Sequence, residues 1–151
     1  MIELASYPDY PFTPKKIDRG NGIQLNYIDE GPENGAPVVM VHGNPSWSYY
    51  WRHLVLGLRD SYRCIVPDHI GMGWSDKPDD DEYQYTLQSR VDDLDTLINS
   101  LNLKQKITLA VHDWGGIIGF AWALNNPERI ARLVILNTAS FPLPKTKKLP
   151  W

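Results

Sequence analysis

The stretch Ile107-Thr-Leu-Ala-Val-His-Asp-Trp-Gly-Gly-Ile-Ile-Gly-Phe-Ala-Trp-Ala-Leu124 decides the fold of this chain. It begins as a β-prone apolar run over 107–111 and continues as an apolar segment of helical length over 115–124. Only three residues separate the two, so the chain must turn sharply from a strand into a helix. Such a turn pushes the side chain at its apex, Asp113, out of the sheet and next to a helix N-terminus. This is the geometry of a nucleophile elbow, with aspartate where serine is more familiar.

Asp113 also has an ordinary structural interpretation. Aspartate is among the best helix N-caps, and a strand–helix loop that ends in Asp is common in α/β proteins. On this segment alone, the cap and the nucleophile are equally good interpretations. The other segments of the chain are needed to choose between them.

The composition limits the classes of protein to which the chain can belong. Its 151 residues suit one domain with a hydrophobic core, and the net charge of −3 provides no basic surface for nucleic acid or membranes. No apolar run is long enough to span a membrane, and residues 1–8 lack the pattern of a signal peptide. The single cysteine, Cys64, cannot form an internal disulfide and suits a reducing compartment. We therefore expect a cytoplasmic protein without a membrane span or a nucleic-acid partner.

Strands are predicted along the whole chain after an extended, Pro- and Tyr-rich N-terminal arm over residues 1–14. The turn Gly20-Asn21-Gly22 predicts a hairpin, and continuous apolar runs such as 37–41 suit strands buried on both faces. The strands are predicted over 15–19, 23–29, 37–41, 62–66, 107–111 and 129–137.

Apolar spacing predicts two amphipathic helices before the elbow segment. The first is expected to start at a serine cap, Ser46 or Ser48, and to run to about Arg59, and the second is expected to start at Thr86. The inward positions are Tyr50, Trp51, Leu54 and Leu58 in the first helix and Leu87, Val91, Leu94, Ile98 and Leu101 in the second, which carries Asp92, Asp93 and Asp95 mostly outward.

This alternation of strands and helices predicts a mostly parallel sheet flanked by helices, with ligands bound beyond the carboxyl ends of the strands. The core domain is expected over residues 15–140, and residues 141–151 begin a further segment. The loops 42–45 and 112–116 both leave strands at that end of the sheet. We therefore expect their side chains to meet there.

Three motifs appear in the order found in one enzyme family. They are His42-Gly43-Asn44-Pro45 followed by Ser48-Tyr-Tyr-Trp-Arg52, then Gly71-Met-Gly-Trp-Ser-Asp-Lys-Pro78, then Val111-His-Asp-Trp-Gly-Gly116. With them, the chain resembles the haloalkane dehalogenases, which have the α/β-hydrolase fold. It is at least as similar to their relatives, the β-lactone decarboxylases of bacterial olefin biosynthesis. The resemblance runs from about Phe12 to the last residue and favours the nucleophile interpretation of Asp113.

The resemblance implies specific roles for four residues, without a cofactor or a metal. Asp113 would displace a leaving group at carbon and form an alkyl-enzyme ester, and the following helix would favour its ionised form. The backbone N–H groups of Asn44 and Trp114 would form an oxyanion hole, and their side-chain N–H groups would hold the departing halide. Pro45 would contact the substrate, a haloalkane or a β-lactone. The structural alternative makes Asn44 a turn residue and Trp114 a packing residue.

Two positions help to separate branches of this superfamily. Epoxide hydrolases share the flanking motifs but usually have an apolar residue where Asn44 stands. In one dehalogenase subfamily, the residue that ends the strand after the elbow helix is the acid that orients the catalytic histidine. Here that position is Asn137, whose amide cannot stabilise an imidazolium, so the acid should come from a later strand.

The other candidate residues are weaker. Ser75 lacks the spacing of a serine nucleophile and is interpreted as a loop hydroxyl. The acidic run 79–82 lacks the spacing of a calcium loop and predicts a solvated turn. Neither His53 nor His69 fits the histidine of a triad, whereas His42 and His112 belong to the motifs as loop-shaping residues.

A complete triad needs a histidine after the nucleophile and the acid, and no histidine follows Asp113. Family members continue with a helical cap, further strands and a C-terminal histidine. We therefore expect the N-terminal part of a hydrolase, completed by a further C-terminal part or by a second chain, with the strand 129–137 at an open edge. The competing hypothesis is a non-catalytic α/β module that keeps the elbow as scaffold.

Overall fold

The computed structural model describes residues 7–139. Residues 1–6 of the predicted arm and the predicted segment 141–151 lie outside the described residues. The strands are β1 (Lys15–Asp18), β2 (Gln24–Glu30), β3 (Ala36–Val41), β4 (Tyr62–Pro67), β5 (Ile107–His112) and β6 (Ile130–Leu136); the helices are α1 (Arg52–Leu58), α2 (Leu87–Ser100) and α3 (Trp114–Asn125), with 3₁₀ turns at Ser48–Trp51 and Pro127–Arg129. No helix in this part of the chain is long and apolar enough to cross a bilayer.

The strands form one sheet in the order β1-β2-β4-β3-β5-β6. The hairpin β1–β2 is antiparallel and joins β4 in antiparallel register, whereas β4, β3, β5 and β6 run parallel to one another. This confirms the predicted hairpin and the mostly parallel sheet. Because β3 and β5 are parallel neighbours with Val41 opposite Val111, the loops that follow them start side by side.

The core lies on both faces of the sheet. Alternate residues of β3 belong to different layers: Val39 and Val41 pack with α2 and α3, whereas Val38 and Met40 pack with α1 and the N-terminal arm. Such two-sided burial explains why the strand is apolar without alternation. It also fixes the position of the end of β3, and therefore the place where the loop 42–45 leaves the sheet.

The first predicted helical segment is present, but its predicted serine cap is wrong and its predicted inward face is only partly correct. The helical segment begins with the 3₁₀ turn Ser48–Trp51 and continues as α1. Neither the turn nor the helix has a side-chain cap among the described residues. Because a 3₁₀ turn has about 3.0 residues per turn rather than 3.6, the positions that point inward are shifted. Trp51 and Val55 are buried, whereas Tyr50 and Leu54 are 44% and 38% exposed.

Helix α2 has the predicted cap, but the predicted orientation of one of its aspartates is wrong. The Thr86 side chain accepts a hydrogen bond from Ser89 N at 3.1 Å. Asp93, expected to point mostly outward, is only 1% exposed. Its carboxylate is bonded to the Arg19 side chain and to the Tyr83 hydroxyl. It therefore ties the β1–β2 hairpin to the helix. At the start of α2, Leu87 was predicted inward but is 42% exposed.

Strand β6 confirms the predicted open edge. Within residues 7–139 it pairs with β5 alone, and it exposes apolar side chains on both of its faces. Consecutive residues such as Val134 and Ile135 are 42% and 56% exposed. An edge of this kind offers unpaired backbone groups and apolar surface to a further strand.

Candidate active site

Asp113 forms a strained elbow between β5 and α3. Its backbone angles are φ 53° and ψ −129°, a conformation that residues with a side chain rarely adopt. The close packing of the elbow depends on Gly115, where an added Cβ would collide with the carbonyl oxygens of Val41 and His42. The strand-to-helix reversal predicted from the sequence is therefore present.

The Asp113 carboxylate does not cap α3. Although the residue occupies the N-cap position, its side chain makes no cap hydrogen bond. Oδ1 instead accepts a hydrogen bond from the backbone N–H of Asn44 at 2.9 Å. The turn is held by its backbone carbonyl, which accepts from Gly116 N at 2.9 Å and from Thr138 Oγ1 at 2.6 Å. The N-cap interpretation of Asp113 is therefore wrong, and its carboxylate faces the loop after β3.

Gly43 lets the two loops meet. A Cβ at this position would lie well inside van der Waals contact with the Asp113 side chain. Glycine is therefore required here by close approach. The motif His-Gly-Asn-Pro thus places its glycine against the carboxylate and presents the next N–H group to it.

The structure brings Asn44, Asp113 and Trp114 together, as the sequence predicted. Asn44 and Trp114 line one open cleft of about 240 Å³, and Trp114 is 40% exposed. Neither side-chain N–H group has a hydrogen-bond partner among the described residues. Pro45 is exposed beside Asn44 but does not line this cleft. The full lining is Asn44, Tyr85, Thr86, Leu87, Arg90, Trp114 and Ile118.

The cleft is lined by both polar and apolar side chains and carries one cation. Within residues 7–139, Arg90 is its only charged lining residue, and the guanidinium donates a hydrogen bond to the carbonyl of Ile70. A larger hollow of about 650 Å³ lies against the N-terminal arm and Leu56. It contains none of the predicted site residues. Geometry therefore favours the smaller cleft as the functional one.

Two buried histidines shape the loop that carries Asn44. His42 and His69 are 0% and 4% exposed, and their ring centroids lie 4.2 Å apart. Burial lowers the pKa of His42 to about 4 and holds the pKa of His69 well below its usual range. The structure confirms His42 as loop-shaping. The role of His69 was missed, since a lone histidine in a loop gives no sequence signal of its partner. His112, the other motif histidine, stacks on Tyr50 with centroids 4.4 Å apart.

A buried aspartate organises the glycine-rich loop that follows β4. Asp68 accepts hydrogen bonds from Ser48 N at 2.7 Å and from Trp74 N at 2.9 Å, and burial raises its pKa. Ser75 donates to the Asp68 carbonyl at 2.6 Å, which confirms the loop-hydroxyl interpretation. Asp68 was missed by sequence reasoning, although an acid directly after an apolar strand was an available signal. The acidic run 79–82 is an exposed turn, as predicted.

The chain belongs to the α/β-hydrolase fold family, whose sequence model matches residues 36–151. It is 64% identical over 151 residues to the cis-3-alkyl-4-alkyloxetan-2-one decarboxylase of Xanthomonas campestris pv. campestris, covering 97% of this chain and 50% of that protein. It is 41% identical over 134 residues to a haloalkane dehalogenase of Mycolicibacterium paratuberculosis, covering 85% of this chain and 44% of that protein.

A solved structure extends this likeness to the fold. The tetrameric haloalkane dehalogenase DpaA from Paraglaciecola agarilytica NO2 matches with a TM-score of 0.80 and 32% identity, over 92% of this chain and 48% of that one. The chain spans about half the length of the curated relatives that it matches. The family model matches one part of the α/β-hydrolase fold in this chain, and the matched residues 36–151 include the elbow and the loop of Asn44.

Proposed function

We propose that this chain supplies the nucleophile of an enzyme that decarboxylates a 3,4-dialkyl β-lactone. Asp113 is the nucleophile, and Asn44 and Trp114 are donors to the group that leaves. The observation that carries the proposal is the Asp113 carboxylate, which stands on a strained elbow and is held at 2.9 Å by the Asn44 N–H. The choice of substrate is supported by the 64% identity to an alkyloxetanone decarboxylase.

The carboxylate is arranged for attack rather than for structure. Oδ1 is held by Asn44, and Oδ2 has no hydrogen-bond partner among the described residues. Strain at φ 53° is retained although glycine would relieve it. A side chain fixed at one oxygen loses little further freedom when the other oxygen reacts, which is the positioning contribution to catalysis.

The proposed reaction balances without a co-reactant. Oδ2 of Asp113 attacks the alkyl-substituted ring carbon C4, which is bonded to the ring oxygen, and the bond between C4 and the ring oxygen breaks. The electron pair leaves as a carboxylate, which the side-chain N–H groups of Asn44 and Trp114 would hold. The bond between this carboxyl group and the neighbouring carbon then breaks and releases carbon dioxide. Its electrons form the alkene as the Asp113 ester bond breaks, which regenerates the carboxylate.

The second candidate is haloalkane dehalogenation, which the 41% identity to a dehalogenase favours. The first step has the same form, with Asp113 attack on carbon and departure of a halide between Asn44 and Trp114. The second step differs, because water must hydrolyse the ester. A non-catalytic scaffold role would give neither ester nor product.

The test uses the purified protein with a cis-3,4-dialkyl β-lactone and, separately, with a 1-bromoalkane. Headspace carbon dioxide, alkene, halide and the intact mass are measured, with Asp113→Asn as the inactive control. Carbon dioxide and alkene in equal amounts from the lactone, absent with D113N, support the proposal. Halide release without action on the lactone overturns it in favour of the dehalogenase. No product and no adduct in a folded sample overturn both.

A further inference from the structure

The paired histidines do more than fill space beside the site. His42 follows β3 directly, and His69 lies two residues after the end of β4, so their neighbouring strands bring them together. The proposed chemistry gives neither ring a reacting atom. Two imidazoles in contact at 0% and 4% exposure are costly to bury, and their polar atoms must therefore be paired.

Their hydrogen bonds determine both tautomers. The backbone N–H of His69 donates to His42 Nε2 at 3.1 Å, so this nitrogen carries no proton. The proton of His42 is therefore on Nδ1, which donates to the Gly43 carbonyl at 2.8 Å. His69 Nε2 faces the His42 carbonyl at 2.9 Å and must donate to it. His42 is therefore neutral, because its Nε2 accepts a hydrogen bond. His69 carries a proton on Nε2, and burial holds the pKa of its ring well below the usual range, which favours the neutral form.

These bonds fix the two peptide units on either side of Gly43. In a trans peptide, the carbonyl of one residue and the N–H of the next point in opposite directions within one plane. The unit whose carbonyl accepts from His42 Nδ1 is therefore the unit whose N–H, that of Asn44, donates to Asp113 Oδ1. The preceding unit is held by His69 through the His42 carbonyl.

We propose that His69 is a positioning residue: through His42 it fixes the backbone of the 42–44 loop and thereby aims the Asn44 N–H at the Asp113 carboxylate. Its catalytic consequence rests on the proposed function. The arrangement is anchored from outside the loop, because Met72 N donates to the His69 carbonyl at 2.8 Å and Arg90 holds the neighbouring Ile70 carbonyl. The chain of contacts thus runs from α2 through the loop after β4 to the nucleophile.

The experiment compares His69→Leu, which removes the donor, with His69→Gln, whose amide nitrogen can occupy the place of Nε2. His53→Leu, at an exposed histidine of α1, is the matched control. Three quantities are measured: the histidine tautomers by ¹⁵N NMR, the hydrogen exchange of the Asn44 amide, and the rate of Asp113 ester formation from a 1-bromoalkane by intact mass.

We expect the Nδ1–H tautomer at His42 and a slowly exchanging Asn44 amide in the unmodified protein. His69→Leu should raise amide exchange at Asn44 and slow ester formation by roughly 10²-fold at unchanged substrate affinity, the usual effect of misplacing a reacting group by about 1 Å. His69→Gln should restore both. An Nε2–H tautomer at His42 overturns the proposal without any variant, as does an unchanged Asn44 amide in His69→Leu. If His69→Leu does not fold, the tautomers and His69→Gln still decide.

The two proposals fail separately. If the unmodified protein forms no ester on Asp113 with the bromoalkane and releases no carbon dioxide or alkene from the β-lactone, the proposed function is wrong, while tautomers and amide exchange still test the positioning role. If the ester forms equally fast in His69→Leu and in the unmodified protein, the positioning role is wrong and the nucleophile stands.

Discussion

The Asn44 N–H and Asp113 Oδ1 are joined by a 2.9 Å hydrogen bond although the two residues are 69 positions apart in the chain. The bond exists because β3 and β5 are adjacent and parallel, so that both following loops leave the same edge of the sheet. Gly43 removes the side chain that would separate them. The orientation of the carboxylate therefore depends on the loop after β3 as much as on its own elbow.

Backbone strain at Asp113, the proposed nucleophile, predicts a gain in stability when this residue is replaced by glycine. Asp113→Asn and Asp113→Gly both remove the charge, but only glycine tolerates φ 53° and ψ −129° without strain. We expect Asp113→Gly to exceed Asp113→Asn in free energy of unfolding by about 1–3 kcal/mol. Neither variant should form an ester. Urea unfolding measures the difference, and equal stabilities would show that the elbow is not strained.

Close packing at Gly43 predicts that a single methyl group disables the site. In Gly43→Ala the new Cβ must displace the Asp113 carboxylate or the loop. Ester formation should fall by roughly 10²-fold or more. Gly57→Ala in α1 is the control, since a Cβ there meets nothing within 4 Å. That variant should keep full activity and gain up to about 1 kcal/mol of stability. An active Gly43→Ala would contradict the assigned contact.

Most of the fold could be predicted from the sequence because its signals are local. The apolar runs of β3 and β5 and the Thr86 cap each lie within a few residues. The predictions of burial are wrong where contacts with residues distant in the sequence, or a different helical turn, determine which side chains are buried. Asp93 is buried because Arg19, 74 positions away, and Tyr83 bond to it. Tyr50 is exposed because a 3₁₀ turn replaces the expected helical turn.

The candidate site was predictable for the same reason, but only in part. Asp113 and Trp114 follow β5 directly, and Asn44 lies three residues after the end of β3, so topology alone brings them together. The position of His69 in the sequence does not fit a triad histidine and gives no other signal of a role. Its importance lies in hydrogen bonds to His42, 27 positions earlier in the chain, which no spacing rule reveals.

If the indole N–H of Trp114 binds the departing group as proposed, removing this N–H group should slow the departure of that group. Trp114→Phe keeps an aromatic ring and the backbone N–H but removes the side-chain donor. We expect ester formation to slow by roughly 10²-fold, the usual loss for one donor to a developing anion. Trp74→Phe is the matched control, because the Trp74 indole N–H is buried without a partner among the described residues. Stopped-flow mixing with a bromoalkane gives both rates; equal rates would remove Trp114 from the proposed site.

The neutral histidine pair predicts a loss of stability in acid. Burial lowers the pKa of His42 from 6.5 to about 4 and holds the pKa of His69 well below its usual range. The charge of Arg90 also lowers the pKa of both rings. The unfolded chain therefore takes up protons that the folded chain refuses. The contribution of His42 is complete above about pH 6.5 and is lost as the pH falls toward about 4, and the contribution of His69 declines from the same upper limit.

Two buried carboxyl groups act in the opposite sense and must be separated from this effect. Burial raises the pKa values of Asp68 and Asp93, so their protonation stabilises the folded state as the pH falls. The effects of Asp68 and Asp93 cancel when the unmodified protein is compared with His69→Gln, because both aspartates are present in each protein. Between pH 7.5 and 4.5 the unmodified protein should lose more free energy of unfolding than His69→Gln in urea, because its unfolded state takes up a proton at His69 that the folded state does not. His53→Gln, at an exposed histidine, should follow the unmodified protein. Parallel curves for the unmodified protein and His69→Gln would mean that His69 is not held neutral in the fold.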